Sequence, residues 1–147
     1  MSLTLLGKVA IVTGASRGIG AGVAERLAAD GATVVVNYNG SKSAADELVE
    51  RIHASGKGKA VAVKADMSSL EEGVRLVEDT VKQFGRLDVL VLNAAMVIDG
   101  TLDAITPEQF DSQFKLNVKV PLFMVQAAAR HMNAGQYISA SSIRGHH

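Results

Sequence analysis

The chain has 147 residues, of which 48% are hydrophobic, and its 15 basic and 15 acidic side chains balance. This length suits one domain, and the balanced charge argues against a nucleic-acid or anionic-membrane partner. The lack of cysteine excludes disulfides and thiolate metal sites. The apolar stretch before Gly7 is too short for a signal peptide, and no apolar run approaches the ~20 residues of a membrane span. We therefore expect a cytoplasmic globular protein.

Short apolar segments alternate along the chain with longer segments of helical period. Segments typical of strands occupy 8–13, 33–37, 59–65, 87–93 and 136–141. Because they are apolar on both faces, they predict a parallel sheet that is covered by helices. Strand–helix alternation with right-handed crossovers predicts a doubly wound α/β sheet in the order 3-2-1-4-5. We expect residues 1–147 to form one dinucleotide-binding domain.

Two of the intervening segments carry apolar side chains at helical spacing. Ile19, Val23 and Leu27 lie four residues apart, a spacing that predicts the first helix. The fourth segment begins at Thr106-Pro107, a capping hydroxyl followed by Pro at the first helical position. It continues through Phe110, Phe114 and Val118 to His131.

The stretch TGASRGIG (13–20) lies between the first predicted strand and the first predicted helix. Gly14 permits a tight turn, Gly18 lets the backbone approach a pyrophosphate, and Gly20 allows the helix to lie close to the strand. The free N–H groups and the positive dipole end of the helix would face the anion. Three glycines at this spacing favour nucleotide binding over a turn that merely connects two elements.

The pattern Thr-Gly-x-x-x-Gly-Ile-Gly resembles the short-chain dehydrogenase/reductase family, whose members are nicotinamide-dependent oxidoreductases with a Rossmann-like fold. Asp66, with Met67 beside it, resembles the acidic residue that meets the adenine amine. Asn117 and Ser142 match the family's Asn in the fourth long helix and its Ser after strand five. The resemblance implies cofactor contacts from the turn residues Gly14, Ser16, Arg17, Gly18, Ile19 and Gly20.

The segment LVLNAAM (90–96) occupies the place of the family's Asn-Asn-Ala-Gly segment after strand four, but it departs from that pattern. Leu92 replaces the first Asn and Ala95 replaces the Gly, whereas Asn93 and Ala94 remain. We expect Asn93, Ala94 and Ala95 to lie beside the cofactor. An Ala at a position that required a positive φ would be strained.

The end of the second strand bears on the choice of nicotinamide. A carboxylate there would bind the ribose 2′-OH and repel a 2′-phosphate, but the sequence has Asn37, Tyr38 and Asn39, which we assign to cofactor binding. Arg17 supplies positive charge for the phosphate, with Lys42 and the Ser41 hydroxyl as further candidates. The sequence predicts NADP(H) over NAD(H), unless Arg17 and Lys42 are ordinary solvated side chains.

The resemblance implies interconversion of a carbonyl and a secondary alcohol by hydride transfer. In the family, a Tyr donates the proton and a Lys four residues later lowers its pKa. The Ser orients the substrate, and the Asn holds a water of the proton relay. We therefore assign Ser142 and Asn117 to the catalytic set. The family's Tyr follows the Ser farther along, but only five residues follow Ser142.

Tyr38 lies at the 2′-phosphate end and Tyr137 lies inside the fifth strand, so we expect neither tyrosine to replace the proton donor. Without that Tyr-x-x-x-Lys segment, we expect the chain to bind cofactor but to be inactive alone.

Pro121 follows Asn117 by four residues within the same helical segment. Because proline has no N–H, the carbonyl of Asn117 loses its usual helical partner, and a kink there would offer that carbonyl to a water. The alternative is that Pro121 begins a second helix.

Other functions remain open from the sequence. The chain could be a nucleotide-binding module without redox turnover, or an interaction protein. Family oligomers pair through the fourth and fifth long helices, so the resemblance implies a homo-oligomer through 107–133. His146-His147 lacks further ligands at useful spacing, so we predict no metal site. The expected partner is a small carbonyl or alcohol.

Overall fold

A computed structural model describes residues 4–133 and 136–140, in which strands and helices alternate. The strands are β1 Val9–Val12, β2 Thr33–Tyr38, β3 Lys59–Lys64, β4 Val89–Leu92 and β5 Tyr137–Ala140. The helices are α1 Gly18–Ala29, α2 Lys42–Ala54, α3 Leu70–Phe84, α4 Pro107–Phe114 and α5 Val120–Ala129. A π turn at Lys115–Lys119 joins α4 to α5.

All strand pairs are parallel, and the sheet order is β3-β2-β1-β4-β5, as the alternation predicted. The order reverses direction at β1, which pairs with β2 on one side and with β4 on the other. The carboxyl ends of the strands therefore meet at one edge of the sheet, and the crevice beside β1 is where ligands bind in such sheets.

Successive residues of β1 face two separate cores. Ala10 and Val12 pack with α1 and α2 on one face of the sheet, whereas Ile11 packs with α3 and α5 on the other. All three side chains are fully buried. This two-sided burial is why the strands read as continuous apolar runs rather than as alternating patterns.

The most buried positions of α1 are not those of its large apolar residues. Gly20, Ala21, Ala24 and Ala28 are buried, while Ile19 is 50% exposed. Val23 and Leu27 only border the core. The helix that this spacing predicted is confirmed, but its most buried positions are small residues, which let α1 lie close to the sheet and leave the larger side chains at the margin of the core.

The fourth helical segment begins as its sequence predicted. Thr106 and Gln109 form a reciprocal capping box, and Pro107 follows at the first helical position. The helix passes through Pro121 without ending, but its hydrogen bonding changes just before that residue. Val120 N–H reaches back five residues to the Lys115 carbonyl, forming the π turn. Since a missing N–H disrupts the regular ladder, the disturbance predicted near Asn117 takes the form of this turn.

A buried carboxylate ties the strands together at the opposite edge of the sheet. Asp88 is 2% exposed and accepts hydrogen bonds from Val9 N–H at 2.9 Å and from the Arg86 guanidinium, twice, at 2.7 Å. Gln136 Nε2, just before β5, donates to it at 3.2 Å. Burial alone would raise the pKa of Asp88, but these hydrogen bonds outweigh it and hold the pKa well below its usual range.

Candidate functional site

The glycine turn forms the floor of a cleft at the carboxyl edge of the sheet. Gly14 has a φ of +60°, and a Cβ there would lie 3.1 Å from the Cα of Ala94. A Cβ on Gly20 would lie 2.6 Å from Asn93 Nδ2 and 2.7 Å from the Gly14 carbonyl oxygen. The start of α1 thus packs directly against the turn and against the segment after β4, a closeness that only glycine permits.

Thr13 and Asn93 fasten the turn to the segment that follows β4. The Thr13 hydroxyl accepts hydrogen bonds from the N–H groups of Asn93 and Ala94 at 2.9 and 3.0 Å. In return, Asn93 Nδ2 donates to the carbonyls of Thr13 and Gly14 at 3.0 and 3.2 Å. Thr13 is 1% exposed. Sequence reasoning gave Thr13 no role, although its place as the first residue of the glycine motif was the available signal.

Asp66 lies on the other side of the cleft, directly after β3. Its Oδ1 accepts hydrogen bonds from the Ser68 N–H at 2.8 Å and from the Ser68 hydroxyl at 2.7 Å. These bonds lower the pKa of the carboxyl, so Asp66 is ionised at neutral pH. The backbone N–H of Asp66 donates to the Glu72 carboxylate at 2.7 Å, which fixes the loop to α3. The carboxylate is thus held in one orientation at the cleft wall.

The cleft has a volume of about 280 Å³ and brings together most of the predicted cofactor-binding residues. Its walls come from the ends of β1, β2, β3 and β4, with one residue from the π turn. The lining residues are Gly14, Asn37, Asn39, Ala65, Asp66, Met67, Asn93, Ala94, Ala95 and Leu116. Leu116 had no sequence signal, because only the π turn brings it to this edge.

The predicted 2′-phosphate side is divided between two environments. Arg17 is exposed at the start of α1, and its Nη2 donates to the Ser41 hydroxyl at 2.7 Å. The two side chains that the sequence assigned to the phosphate therefore lie together. Lys42 instead forms an exposed ion pair with Asp46 at 2.5 Å, which raises its pKa. Ser16 is half-buried in the turn, and Gly18 is exposed at its tip.

Among the predicted cofactor-binding residues, Tyr38 does not line the cleft. Its side chain is 8% exposed and packs in the core between the sheet, α1 and α2, outside the lining of the cleft. Lys42 follows Tyr38 at the four-residue spacing of the family's catalytic pair, but this pair lies at the end of β2. Tyr38 lies in the core, and Lys42 pairs with Asp46 on the exposed side of α2.

Asn117 points inward from the π turn to the segment after β4. Its Oδ1 accepts the Met96 N–H at 2.9 Å, and its Nδ2 donates to the Met96 carbonyl at 2.7 Å. The side-chain amide thereby fixes the backbone two residues beyond Ala94. Among residues 4–133 and 136–140, no residue other than glycine has a positive φ, so Ala95 carries no such strain.

Some sequence predictions have no structural counterpart. Ser142, the predicted substrate-orienting residue, lies outside the described residues, as does the pair His146-His147.

In the part of the chain that the structure describes, no three His, Asp or Glu side chains gather as a metal site would require. No helix within the same ranges is long and apolar enough to cross a membrane.

Known proteins share both the sequence and this architecture. The sequence profile of the short chain dehydrogenases matches residues 8–147. An uncharacterised oxidoreductase from Methylorubrum extorquens is 50% identical over 140 residues, which make up 95% of this chain and 56% of the relative. The match of the profile across nearly the whole sequence shows that the chain belongs to the short-chain dehydrogenase/reductase family of oxidoreductases.

Solved structures agree with this assignment. A short chain dehydrogenase from Burkholderia cenocepacia in complex with NADP superimposes with a TM-score of 0.87 at 42% identity, covering 92% of this chain and 55% of its own. The angucycline C-6 ketoreductase LanV with bound NADP gives a TM-score of 0.85 at 40% identity, covering 94% and 56%. The chain spans about half the length of the curated relatives it matches.

Proposed function

We propose that the protein is an NADP(H)-dependent oxidoreductase that interconverts a carbonyl and a secondary alcohol, and that residues 1–147 provide its cofactor half-site. The observation that carries this proposal is the cleft itself, in which the glycine turn faces an ionised Asp66 across the ends of the parallel strands. This arrangement is typical of a dinucleotide site, in which the pyrophosphate would lie at the start of α1 and the adenine toward Asp66. The bound NADP of two similar structures supports the choice of cofactor.

The preference for the 2′-phosphorylated cofactor would come from Arg17 and Ser41. No carboxylate ends β2, where one would repel a phosphate, and the Arg17 guanidinium donates to the Ser41 hydroxyl at 2.7 Å between the starts of α1 and α2. A guanidinium binds phosphate oxygens with two parallel hydrogen bonds, which a ribose hydroxyl cannot accept. The site therefore favours NADPH over NADH.

The carbonyl chemistry is supported by the resemblance and by LanV, whose name describes a ketoreductase. In this proposal, Ser142 orients the substrate oxygen. The side-chain amide of Asn117 fixes the Met96 backbone. The backbone carbonyl of Asn117 lies four residues before Pro121, which has no N–H to bond it, and would hold a water. Tyr38 is buried in the core and Tyr137 is part of β5. We therefore propose that residues 1–147 alone bind NADPH without reducing a carbonyl.

An Arg17→Glu variant tests the cofactor assignment. We expect the affinity for NADPH to fall at least about tenfold, because a charge-assisted phosphate contact is lost and a repulsive charge takes its place. The affinity for NADH should change far less. Lys57→Glu is the matched control, since it makes the same charge change in the loop before β3, at the opposite edge of the sheet. Equal losses for both cofactors, or in both variants, would contradict the assignment to the 2′-phosphate.

A turnover assay separates the two halves of the proposal. NADPH oxidation is followed with a panel of ketones and quinones at saturating cofactor. We expect binding without turnover from residues 1–147. Carbonyl-dependent oxidation by this chain would show that a proton donor lies within it, whereas absence of binding would favour the alternative, a non-catalytic oligomerisation module.

We also propose that the protein forms a homo-oligomer through the helix that runs from Pro107 to Ala129. Phe110, Phe114, Val118 and Leu122 lie four residues apart on this helix and are 44–60% exposed. In a regular α-helix, twelve residues would rotate the last side chain by about 120° from the first. The π turn inserts one extra residue and reduces that offset to about 20°. The four side chains therefore form one continuous apolar stripe along the helix.

The oligomer is tested by replacing an apolar residue of the stripe. Leu122→Asp should shift the protein toward the monomer in size-exclusion chromatography with light scattering, because burying an unpaired carboxylate is costly. Ser112→Asp is the control, since Ser112 lies on the opposite side of α4 from Phe110. An unchanged mass for Leu122→Asp, or a monomeric wild type, would refute the interface.

A further inference from the structure

Asn37 is enclosed between the glycine turn and the end of β3. Its side chain is 1% exposed, and its Oδ1 accepts the Gly14 N–H at 3.1 Å. Its Nδ2 donates to the Ala65 carbonyl at 3.0 Å. Its backbone carbonyl accepts the Ala15 N–H at 2.8 Å. One residue of β2 thus holds both neighbouring strand ends.

We propose that Asn37 is a positioning residue for the cofactor, which locks the phosphate-binding turn to the adenine wall of the cleft. Gly14 begins that turn, and Ala65 directly precedes Asp66, so the amide of Asn37 joins the two parts of the cleft that would bind opposite ends of the ADP moiety. This inference rests on the proposed cofactor site. It differs from the sequence prediction, in which Asn37 would itself meet the 2′-phosphate end.

The donor and acceptor pattern around the side chain admits an amide and excludes a carboxylate. The Gly14 N–H requires an acceptor on one side. On the other side, Nδ2 faces three carbonyl oxygens, those of Ala65 at 3.0 Å and of Tyr38 and Val63 at 3.4 Å. An ionised Asp offers only acceptors and would oppose these carbonyls, whereas a protonated Asp regains one donor. Asn37→Asp should therefore break the lock at high pH and restore it at low pH.

The ionisable groups on the surrounding elements include Tyr38 beside it, Arg17 in the turn, Lys64 at the end of β3, Asp66 after it, Glu72 on α3 and Lys115 on the π turn. Asp66 stays ionised across the neutral range because its pKa is lowered by Ser68. A recovery of binding by Asn37→Asp at low pH would therefore come from protonation of the new carboxyl at residue 37. The 2′-phosphate of the cofactor also titrates near pH 6, so the affinity of the variant is compared with that of the wild type at each pH.

The test uses calorimetric titration with NADP⁺, which survives acid better than the reduced form, at about pH 8 and about pH 5.5. We expect Asn37→Asp to bind at least about tenfold more weakly than wild type at the higher pH, since a buried group loses its partner. The difference in affinity between Asn37→Asp and the wild type should shrink several-fold at the lower pH. Asn37→Ser, whose hydroxyl is too short to reach both partners, should be weak at both pH values. Gln83→Glu, exposed on α3, controls for the added charge.

The outcomes separate this inference from the proposed function. If the wild type does not bind NADP⁺, the cofactor site itself is wrong, and the positioning role falls with it. If the wild type binds and both Asn37 variants bind within about twofold of it, the site stands and the positioning role is refuted. A loss in Asn37→Asp without acidic rescue, or equal to that of Gln83→Glu, also overturns the inference. If Asn37→Asp does not fold at the higher pH, the affinity of Asn37→Ser for NADP⁺ at that pH tests the positioning role in its place.

Discussion

Two glycines of α1, two residues apart, should respond in opposite directions to the same substitution. A Cβ on Gly20 would lie 2.6 Å from Asn93 Nδ2 and 2.7 Å from the Gly14 carbonyl oxygen, closer than van der Waals contact allows. Since the second of these atoms is backbone, the turn or the helix must move. Overpacking of this kind costs about 1–3 kcal/mol. Gly22 has nothing within 4 Å of the equivalent position and lies inside the helix.

Gly22→Ala should therefore stabilise the protein by about 0.5–1 kcal/mol, because alanine loses less conformational freedom than glycine on folding. Urea unfolding followed by circular dichroism measures both variants. Gly20→Ala should lower the free energy of unfolding by about 1–3 kcal/mol and weaken NADPH binding, while Gly22→Ala should leave binding unchanged. Equal stabilities for the two variants would refute the claim that α1 packs directly against the glycine turn.

Two further substitutions test the supports of the cleft. Asp88→Asn should lower the free energy of unfolding by about 2–3 kcal/mol at neutral pH, because the charge-assisted bonds from Arg86 weaken. The folded pKa of Asp88 is depressed, so its contribution is complete above the unfolded pKa of about 4 and is lost as the pH falls below it. Acid titration should show that loss only in the wild type. Asn117→Ala should speed hydrogen exchange of the Met96 amide at least about tenfold and should weaken NADPH binding. The free energy of unfolding should change by only about 1 kcal/mol. An unchanged exchange rate would contradict the contact between Asn117 and Met96.

Sequence reasoning located the cleft because its signals are local. The glycine turn and the polar residues after each strand are visible in short stretches of sequence, and parallel pairing brings the strand ends to one edge. The parallel sheet in the predicted order and the membership of the family were confirmed on this basis. The assignment of individual site residues, Ser142 included, stays a prediction.

What the sequence did not reveal depends on contacts between distant segments. The amide of Asn37 is readable as polar, but its partners on Gly14 and Ala65 follow from the register of three strands. The bond between Asn117 and the Met96 backbone spans 21 residues and requires the π turn. The spacing of apolar residues indicated α1 but not its most buried positions, because alanine and glycine carry little hydrophobic signal although they permit the closest packing.

The most direct test of the account is a fluorescence titration of the wild-type chain with NADPH and with NADH under the same conditions. The cleft between the glycine turn and Asp66, with Arg17 and Ser41 paired at its side, predicts saturable binding of one NADPH per chain, at least about tenfold tighter than NADH. Tighter binding of NADH, or no saturable binding of NADPH by the folded chain, would contradict it.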